Sequence, residues 1–342
     1  MNYWRFYTLL FIVFFVLSLN SCENTFEVVD DWKNIPIVYG LLNEGDTAQY
    51  IRVEKAFLDP EVSALILAQE ADSLYYENAD VRLVALDAGV PGEIITMTQV
   101  DANNEGYPKI EGIFATTPNF VYKTLEPINS SSIYRLEVST AEGDVFVTAE
   151  TAVIPDYDVF TPQAGNFIDF NPEEDTDIVW EVLPQAKFFE ITMILEYRDF
   201  PTGSPWLSEN HVLEWKIATK VKPDGIAGRV EVDGERFYSF IAANVPEIPG
   251  MCRITGEVTM YIDAGGEELL RHIEVFEANQ SGVTGSEPFP EYTNLSEGRG
   301  IFSTRYRKTL ASMNLSLSTR EELAAGPITG HLGFTSEAFP CN

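Results

Sequence analysis

The chain has 342 residues, of which 53 are acidic and 22 are Lys or Arg, giving a formal net charge of −31. So acidic a surface repels the phosphates of nucleic acids and of anionic lipids, so we predict no nucleic-acid partner. The 15 tyrosines and 22 phenylalanines, with frequent Gly and Pro, favour strands and turns over long helices.

The first 21 residues have the pattern of a secretory signal peptide. Arg5 is followed by an apolar run over residues 6–19, which is shorter than the roughly 20 residues that a membrane-spanning helix needs. The run ends at Leu19-Asn20-Ser21-Cys22, which resembles the bacterial lipobox. We therefore predict a lipoprotein signal peptide over residues 1–21 and lipidation of Cys22; the alternative is a soluble secreted protein cut nearby.

The lipobox resemblance implies diacylglyceryl and a further acyl chain on Cys22, and several chains together anchor a protein to a membrane almost permanently. Residues 22–34 are polar and acidic with little periodicity, as expected of a tether. We predict an outer-membrane lipoprotein that contacts the membrane through this lipid. Glu23 and Glu27 match a surface-export signal only loosely, so the periplasmic and the surface-exposed face both remain open.

The two remaining cysteines are Cys252 and Cys341. An exported protein meets an oxidising compartment, so we predict a Cys252–Cys341 disulfide, with two separate thiols as the alternative. Such a bridge would close a long loop and stabilise the protein by about 4 kcal/mol at most.

The predicted fold is mainly β, with two β-sandwich-like domains and a few short helices. Residues 35–155 carry about seven short strands, including a hairpin formed by residues 133–138 and 144–151, which is typical of an immunoglobulin-like sandwich. In the second strand Ile51 and Val53 alternate with Arg52 and Glu54, so the two pairs should face opposite sides.

Residues 156–342 form the second predicted domain, which is β-rich with short helices. Trp180 is the expected core anchor of its first sheet, and further strands are predicted at residues 211–221, 228–233, 236–242 and 253–262. A helix is predicted over residues 267–278, with Leu270 and Phe276 on one side.

Catalytic and metal-binding motifs are missing from the sequence. Its three histidines form no H-E-x-x-H or zinc-ligand spacing, and G-x-S-x-G is absent. Short acidic runs such as residues 173–177 lack the spacing of a calcium loop. We predict no enzyme activity, no catalytic residue, no metal site and no cofactor. Trp206 follows Ser204-Pro205 in a loop and is a candidate ligand contact, with packing onto the adjacent sheet as the favoured alternative.

Several segments together resemble the DUF4249 family of Bacteroidota lipoproteins. They are Ile37-Val38-Tyr39-Gly40-Leu41-Leu42-Asn43, Tyr50-Ile51-Arg52-Val53-Glu54-Lys55-Ala56-Phe57, Ala79-Asp80-Val81-Arg82-Leu83, Tyr134-Arg135-Leu136-Glu137-Val138 and Tyr292-Thr293-Asn294-Leu295-Ser296-Glu297-Gly298-Arg299-Gly300-Ile301-Phe302. The resemblance implies no catalytic residue. Members of the family often accompany TonB-dependent outer-membrane receptors, so it implies such a receptor as a partner. Read physically, Gly298 and Gly300 predict a turn or bulge before Ile301 and Phe302 re-enter a core.

Three hypotheses follow. The leading one is a non-enzymatic envelope accessory or binding protein that partners a TonB-dependent transporter. The second is a glycan-capturing surface lipoprotein that stacks Trp206 or other loop aromatics on sugar rings. The third is an enzyme of unrecognised type, such as a glycoside hydrolase or a protease.

Overall fold

A computed structural model describes residues 35–56, 62–140, 146–280 and 291–341. The signal peptide, the tether and Cys22 lie outside these residues. The fold is mainly β with several sheets and a few short helices, which confirms the predicted class. Within the described ranges, none of the helices has the length and apolar character needed to cross a membrane.

The strands and helices follow in chain order. The strands are β1 Pro36–Leu42, β2 Gln49–Lys55, β3 Asp80–Asp87, β4 Val90–Thr96, β5 Thr98–Asp101, β6 Phe120–Thr124, β7 Ile133–Ser139, β8 Phe146–Ala152, β9 Val159–Thr161, β10 Phe167–Ile168, β11 Asp175–Glu181, β12 Phe188–Pro201, β13 Glu209–Val221, β14 Ala227–Asp233, β15 Met251–Gly265 and β16 Arg299–Leu315. The helices are α1 Ala64–Leu67, α2 Ala71–Leu74, α3 Gly234–Asn244, α4 Glu267–Gln280 and α5 Leu317–Ala325, with 3-10 turns at Pro205–Leu207 and Gly330–Leu332.

The first core lies between two sheets. One sheet has the order β4-β3-β7-β8, and the other contains β16-β1-β2-β6-β5. Ile51 and Val53 face this core and are almost fully buried, while Arg52 and Glu54 lie on the opposite side, as the alternation predicts. The β7–β8 pairing confirms the predicted hairpin, whose turn lies outside the described residues.

The second core lies between the long strands β13-β12-β15-β16 and the three-stranded sheet β14-β11-β9, with α3 and α5 packed beside it. Trp180 is fully buried here, as predicted, and its ring lies 5.2 Å from that of Phe189. Helix α4 covers the predicted 267–278 range, but only Leu270 of it is buried; Phe276 is 56% exposed.

Strand β16 contributes to both cores. Its first half pairs in parallel with β1 and places Phe302 in the first core, and its second half pairs with β15 and places Met313 in the second. The long sheet is therefore continuous across residue 155. The predicted division into two domains at residue 155 remains a prediction. The structure adds that β1, before this boundary, pairs with β16, after it.

The segment from Asn294 to Phe302 makes the join between β16 and β1. Asn294 accepts a hydrogen bond from the Phe302 amide at 3.0 Å and donates one to the Phe302 carbonyl at 2.8 Å, so its side chain acts as a short strand partner. Gly300 has a φ of +108° and lies against Val38, and Ile301 and Phe302 beyond it are buried. The glycines thus serve the close approach of two backbones.

The predicted strand at residues 236–242 is wrong, because this segment is helical in α3. Asp233 caps the helix by accepting a hydrogen bond from the Glu235 amide at 2.9 Å. Phe237, Tyr238 and Ile241 are buried, and the spacing of Phe237 and Ile241 is that of one helix face. The cap and the i, i+4 spacing favour the helix.

Replacing the α3 cap gives a first prediction. Asp233→Ala should lower the free energy of unfolding by about 1 kcal/mol, because the Glu235 amide loses its acceptor. Asp233→Asn keeps an equivalent acceptor and should be nearly neutral. Urea unfolding of the two variants measures the difference, and equal losses in both would contradict the capping role.

Candidate ligand-binding cavity

A cavity of about 600 Å³ lies on the outward face of the first sandwich's larger sheet. Val38 and Ile51 point into the core, so their neighbours Tyr39, Tyr50 and Arg52 point outward into the cavity. The volume falls within the usual range for small-molecule sites.

Three tyrosines supply most of the aromatic surface. Tyr39 and Arg52 are directly paired across β1 and β2, and the Tyr50 ring meets the Tyr107 ring edge to face with centroids 5.4 Å apart. Tyr39 is 39% exposed and Tyr107 is 62% exposed, so their rings are open to a ligand.

Hydrogen bonds hold the loop that carries Tyr107. The Tyr107 amide donates to the Ala102 carbonyl at 2.9 Å, and its own carbonyl accepts from Asn119 at 3.1 Å. Asn119 also accepts a hydrogen bond from Arg52 at 2.8 Å, which ties the loop to β2. The Tyr107 backbone is therefore fixed before any ligand arrives, which lowers the entropy cost of binding.

The cations around the cavity are already paired with carboxylates. Arg52 donates to Glu54 at 3.0 Å, and Arg305 lies 3.7 Å from Asp46. Lys123 pairs with Glu105, and its ammonium also lies 5.7 Å from the centroid of the Tyr50 ring. A net anionic ligand thus gains little here, and the site suits a neutral, polar molecule.

The hydroxyls of Tyr39 and Tyr50 stay protonated at neutral pH. Burial, followed by the hydrogen bond from Tyr50 to Glu105, raises the pKa of Tyr50 above its ordinary value. Burial, followed by the charges of Glu291 and Glu54, raises the pKa of Tyr39. The Tyr39 phenol can therefore donate a hydrogen bond to a ligand, whereas the Tyr50 phenol already donates to Glu105 and offers a ligand its oxygen as an acceptor. Asp46 is the one carboxylate among the described residues that line the cavity.

The predicted site residues lie elsewhere. Cys252 and Cys341 form a disulfide, with Cα atoms 5.8 Å apart, that pins the end of the chain to β15. Trp206 is 75% exposed in a 3-10 turn, so its ring does not pack onto the sheet, and it does not line the cavity. Cys22 lies outside the described residues.

Sequence reasoning missed the cavity tyrosines. Tyr39 and Tyr50 lie at outward positions of two alternating strands, and this alternation could have predicted that both face the same side of the sheet. Their proximity to Tyr107 depends on how the loop between β5 and β6 folds back over the sheet, and no periodic pattern encodes that fold.

Three side chains of types that bind metals lie together at one end of the β12–β13 hairpin. One ligand atom from each of Asp199, Glu209 and His211 lies within 4.8 Å of the others. No metal site was predicted from the sequence, because these three residues match no linear metal-binding motif.

Comparisons with known proteins leave the function open. No protein-family model and no curated protein matches the chain. Structures with weak similarity include a cytokine receptor complex (8% identity, 68% of this chain and 92% of that one, TM-score 0.20). Another is the C-terminal globular domain of an oligosaccharyltransferase from Pyrococcus abyssi (12%, 83% and 50%, TM-score 0.17). A third is the calcium-binding domain CBD12 of CALX1.1 (10%, 77% and 99%, TM-score 0.16). Scores this low carry no argument, and membership of DUF4249 remains a prediction.

Proposed function

We propose that this protein is a lipid-anchored binding protein of the bacterial cell envelope that holds a neutral saccharide in the tyrosine cavity. The observation that carries the proposal is the cavity itself, which combines exposed tyrosine rings, phenol hydroxyls and cations already paired with carboxylates. Saccharides present apolar C–H faces that pack on aromatic rings and hydroxyls that hydrogen-bond at the rim.

An enzyme that hydrolyses such a ligand would need more than this cavity offers. Glycoside hydrolysis ordinarily uses two carboxyl groups that flank the scissile bond. Of the described lining residues only Asp46 carries a carboxylate, and it lies 3.7 Å from Arg305. Capture is therefore the better-supported use of the cavity.

Binding should depend on Tyr107. Tyr107→Ala removes an exposed ring, so the fold should be preserved while saccharide affinity falls about tenfold or more, which corresponds to about 1.4 kcal/mol. Trp206→Ala is the matched control, because it removes an equally accessible aromatic ring outside the cavity. A glycan array probed with the three proteins measures the effect.

The outcomes of that array separate the hypotheses. Loss of binding in Tyr107→Ala alone supports the cavity, and loss in Trp206→Ala alone moves the site to the β12–β13 loop. Failure of the unmodified protein to bind any saccharide would overturn the proposed ligand class.

The proposed location rests on the signal-peptide and lipobox pattern that ends at Cys22. Cells given a labelled fatty acid should incorporate the label into the protein, and Cys22→Ser should abolish incorporation because the acceptor thiol is lost. Equal labelling of both forms would contradict lipidation at this residue. A TonB-dependent transporter remains the proposed protein partner, supported by the DUF4249 resemblance alone.

A further inference from the structure

The end of the β12–β13 hairpin collects three side chains with metal-binding atoms on one face. Asp199 is paired directly with Glu209, and Tyr197 with His211. Residues two apart on a strand share a face, and directly opposed residues have neighbouring Cβ atoms, so Asp199, Glu209 and His211 point the same way.

Asp199 is a buried carboxylate whose hydrogen bonds among the described side chains come from this group alone. It is only 8% exposed, and across the described ranges its sole side-chain hydrogen-bond partner is His211, whose Nε2 lies 2.9 Å from Asp199 Oδ1. A buried carboxylate normally accepts several hydrogen bonds or pairs with a cation, because desolvation of the charge is costly.

The buried cation on the neighbouring strand donates hydrogen bonds to backbone carbonyls. Arg253 lies opposite Asp199 on β15 and is fully buried. Its guanidinium donates to the carbonyl of Pro246 at 2.8 Å and to the carbonyl of Leu332. Arg253 therefore makes no described ion pair or hydrogen bond with Asp199, although its positive charge lies on the neighbouring strand. A second acid, Glu209, adds negative charge on the other side of Asp199.

The ring of His211 has a fixed orientation. It stacks on Tyr197 with centroids 4.9 Å apart and an interplanar angle of 22°. That contact fixes the plane in which Nε2 faces Asp199. Nε2 carries the proton of the hydrogen bond to Asp199, so a metal would replace that proton, and the tautomer with its proton on Nδ1 would present the Nε2 lone pair to the metal.

We propose that Asp199, Glu209 and His211 form a binding site for a divalent first-row cation, and specifically for Zn²⁺. One imidazole nitrogen and two carboxylate oxygens are a donor set that Zn²⁺ uses, with water in the remaining position. Donor atoms at zinc-bond length in a tetrahedron lie about 3.3 Å apart. The 2.9 Å separation of Asp199 Oδ1 from His211 Nε2, and the 4.8 Å limit for the whole group, need only small side-chain rotations to reach that geometry.

A metal here would join β12 to β13 at the base of the loop that carries Trp206. All three ligands flank residues 200–208, so occupancy would brace both ends of that loop. The site is independent of the tyrosine cavity, which lies on β1, β2, β6 and β16.

Calorimetric titration of the full chain with ZnCl₂, in detergent and without a polyhistidine tag, tests the proposal. The expected result is one equivalent of Zn²⁺ bound, with affinity about 100-fold weaker in His211→Gln and about tenfold or more weaker in Glu209→Gln. His272→Gln is the matched control and should bind as the unmodified protein does. Substitution with Co²⁺ should give the visible d–d absorption of a nitrogen- and oxygen-ligated ion, and His211→Gln should abolish it.

Two results would overturn the site. Equal Zn²⁺ binding by His211→Gln and the unmodified protein would show adsorption to the acidic surface, and absence of binding would leave Asp199 and His211 as a hydrogen-bonded pair alone. Glu209 is exposed, so Glu209→Gln keeps the test decisive if the His211 variant fails to fold.

Discussion

Gly300→Ala should destabilise the protein by about 3 to 5 kcal/mol, a large effect for a single methyl group. A Cβ at this position would lie 2.0 Å from the backbone oxygen of Val38, a contact that cannot be relieved by rotating a side chain. The residue also has a φ of +108°, which disfavours any residue with a Cβ. Steric overlap and backbone strain together give the estimate.

The matched control is Gly89→Ala. Gly89 has a φ of +81°, but a Cβ there would meet nothing within 4 Å. It should therefore cost about 1 kcal/mol, from the backbone conformation alone. Urea unfolding curves of both variants separate strain from overlap, and losses of equal size would show that the β1–β16 contact is not as tight as described.

Removal of the Cys252–Cys341 bridge should lower the free energy of unfolding by about 2 to 4 kcal/mol. The bridge joins residues 89 apart in sequence, so the unfolded chain gains much freedom when it is absent. The double variant Cys252→Ala/Cys341→Ala should therefore unfold at a lower temperature than the unmodified protein.

A reductant supplies the control for that prediction. It should lower the unfolding temperature of the unmodified protein toward that of the double variant, and it should leave the double variant unchanged. No response of the unmodified protein would mean that the two thiols are separate in solution, and would also remove one argument for an oxidising compartment.

Local features of this fold were readable from the sequence because they depend on near neighbours. Alternation placed Ile51 and Val53 inside, and the buried Trp180 was recognised from its apolar surroundings. Residues 236–242 are a helix and not the predicted strand, because the Asp233 cap and the helical spacing of Phe237 and Ile241 outweigh the strand preference of the aromatic residues.

Long-range features were not readable. The parallel pairing of Val38 with Gly300 joins strands from opposite ends of the chain, and single-sequence periodicity holds no information on partner choice. For the same reason the sequence did not predict the tyrosine cavity or the group formed by Asp199, Glu209 and His211. Glu209 and His211 share a strand face by spacing, but Asp199 joins them only once the register of β12 and β13 is known.

Nuclear magnetic resonance of protein labelled at its tyrosine and tryptophan rings tests most directly whether the tyrosine cavity binds a saccharide. Titration with a neutral saccharide chosen from the array should shift the ring signals of Tyr39, Tyr50 and Tyr107, and should leave the Trp206 signal in place. Tyr107→Ala should reduce the shifts of the other two tyrosines. Shifts confined to Trp206, or no shifts at saturating saccharide, would contradict a binding site in this cavity.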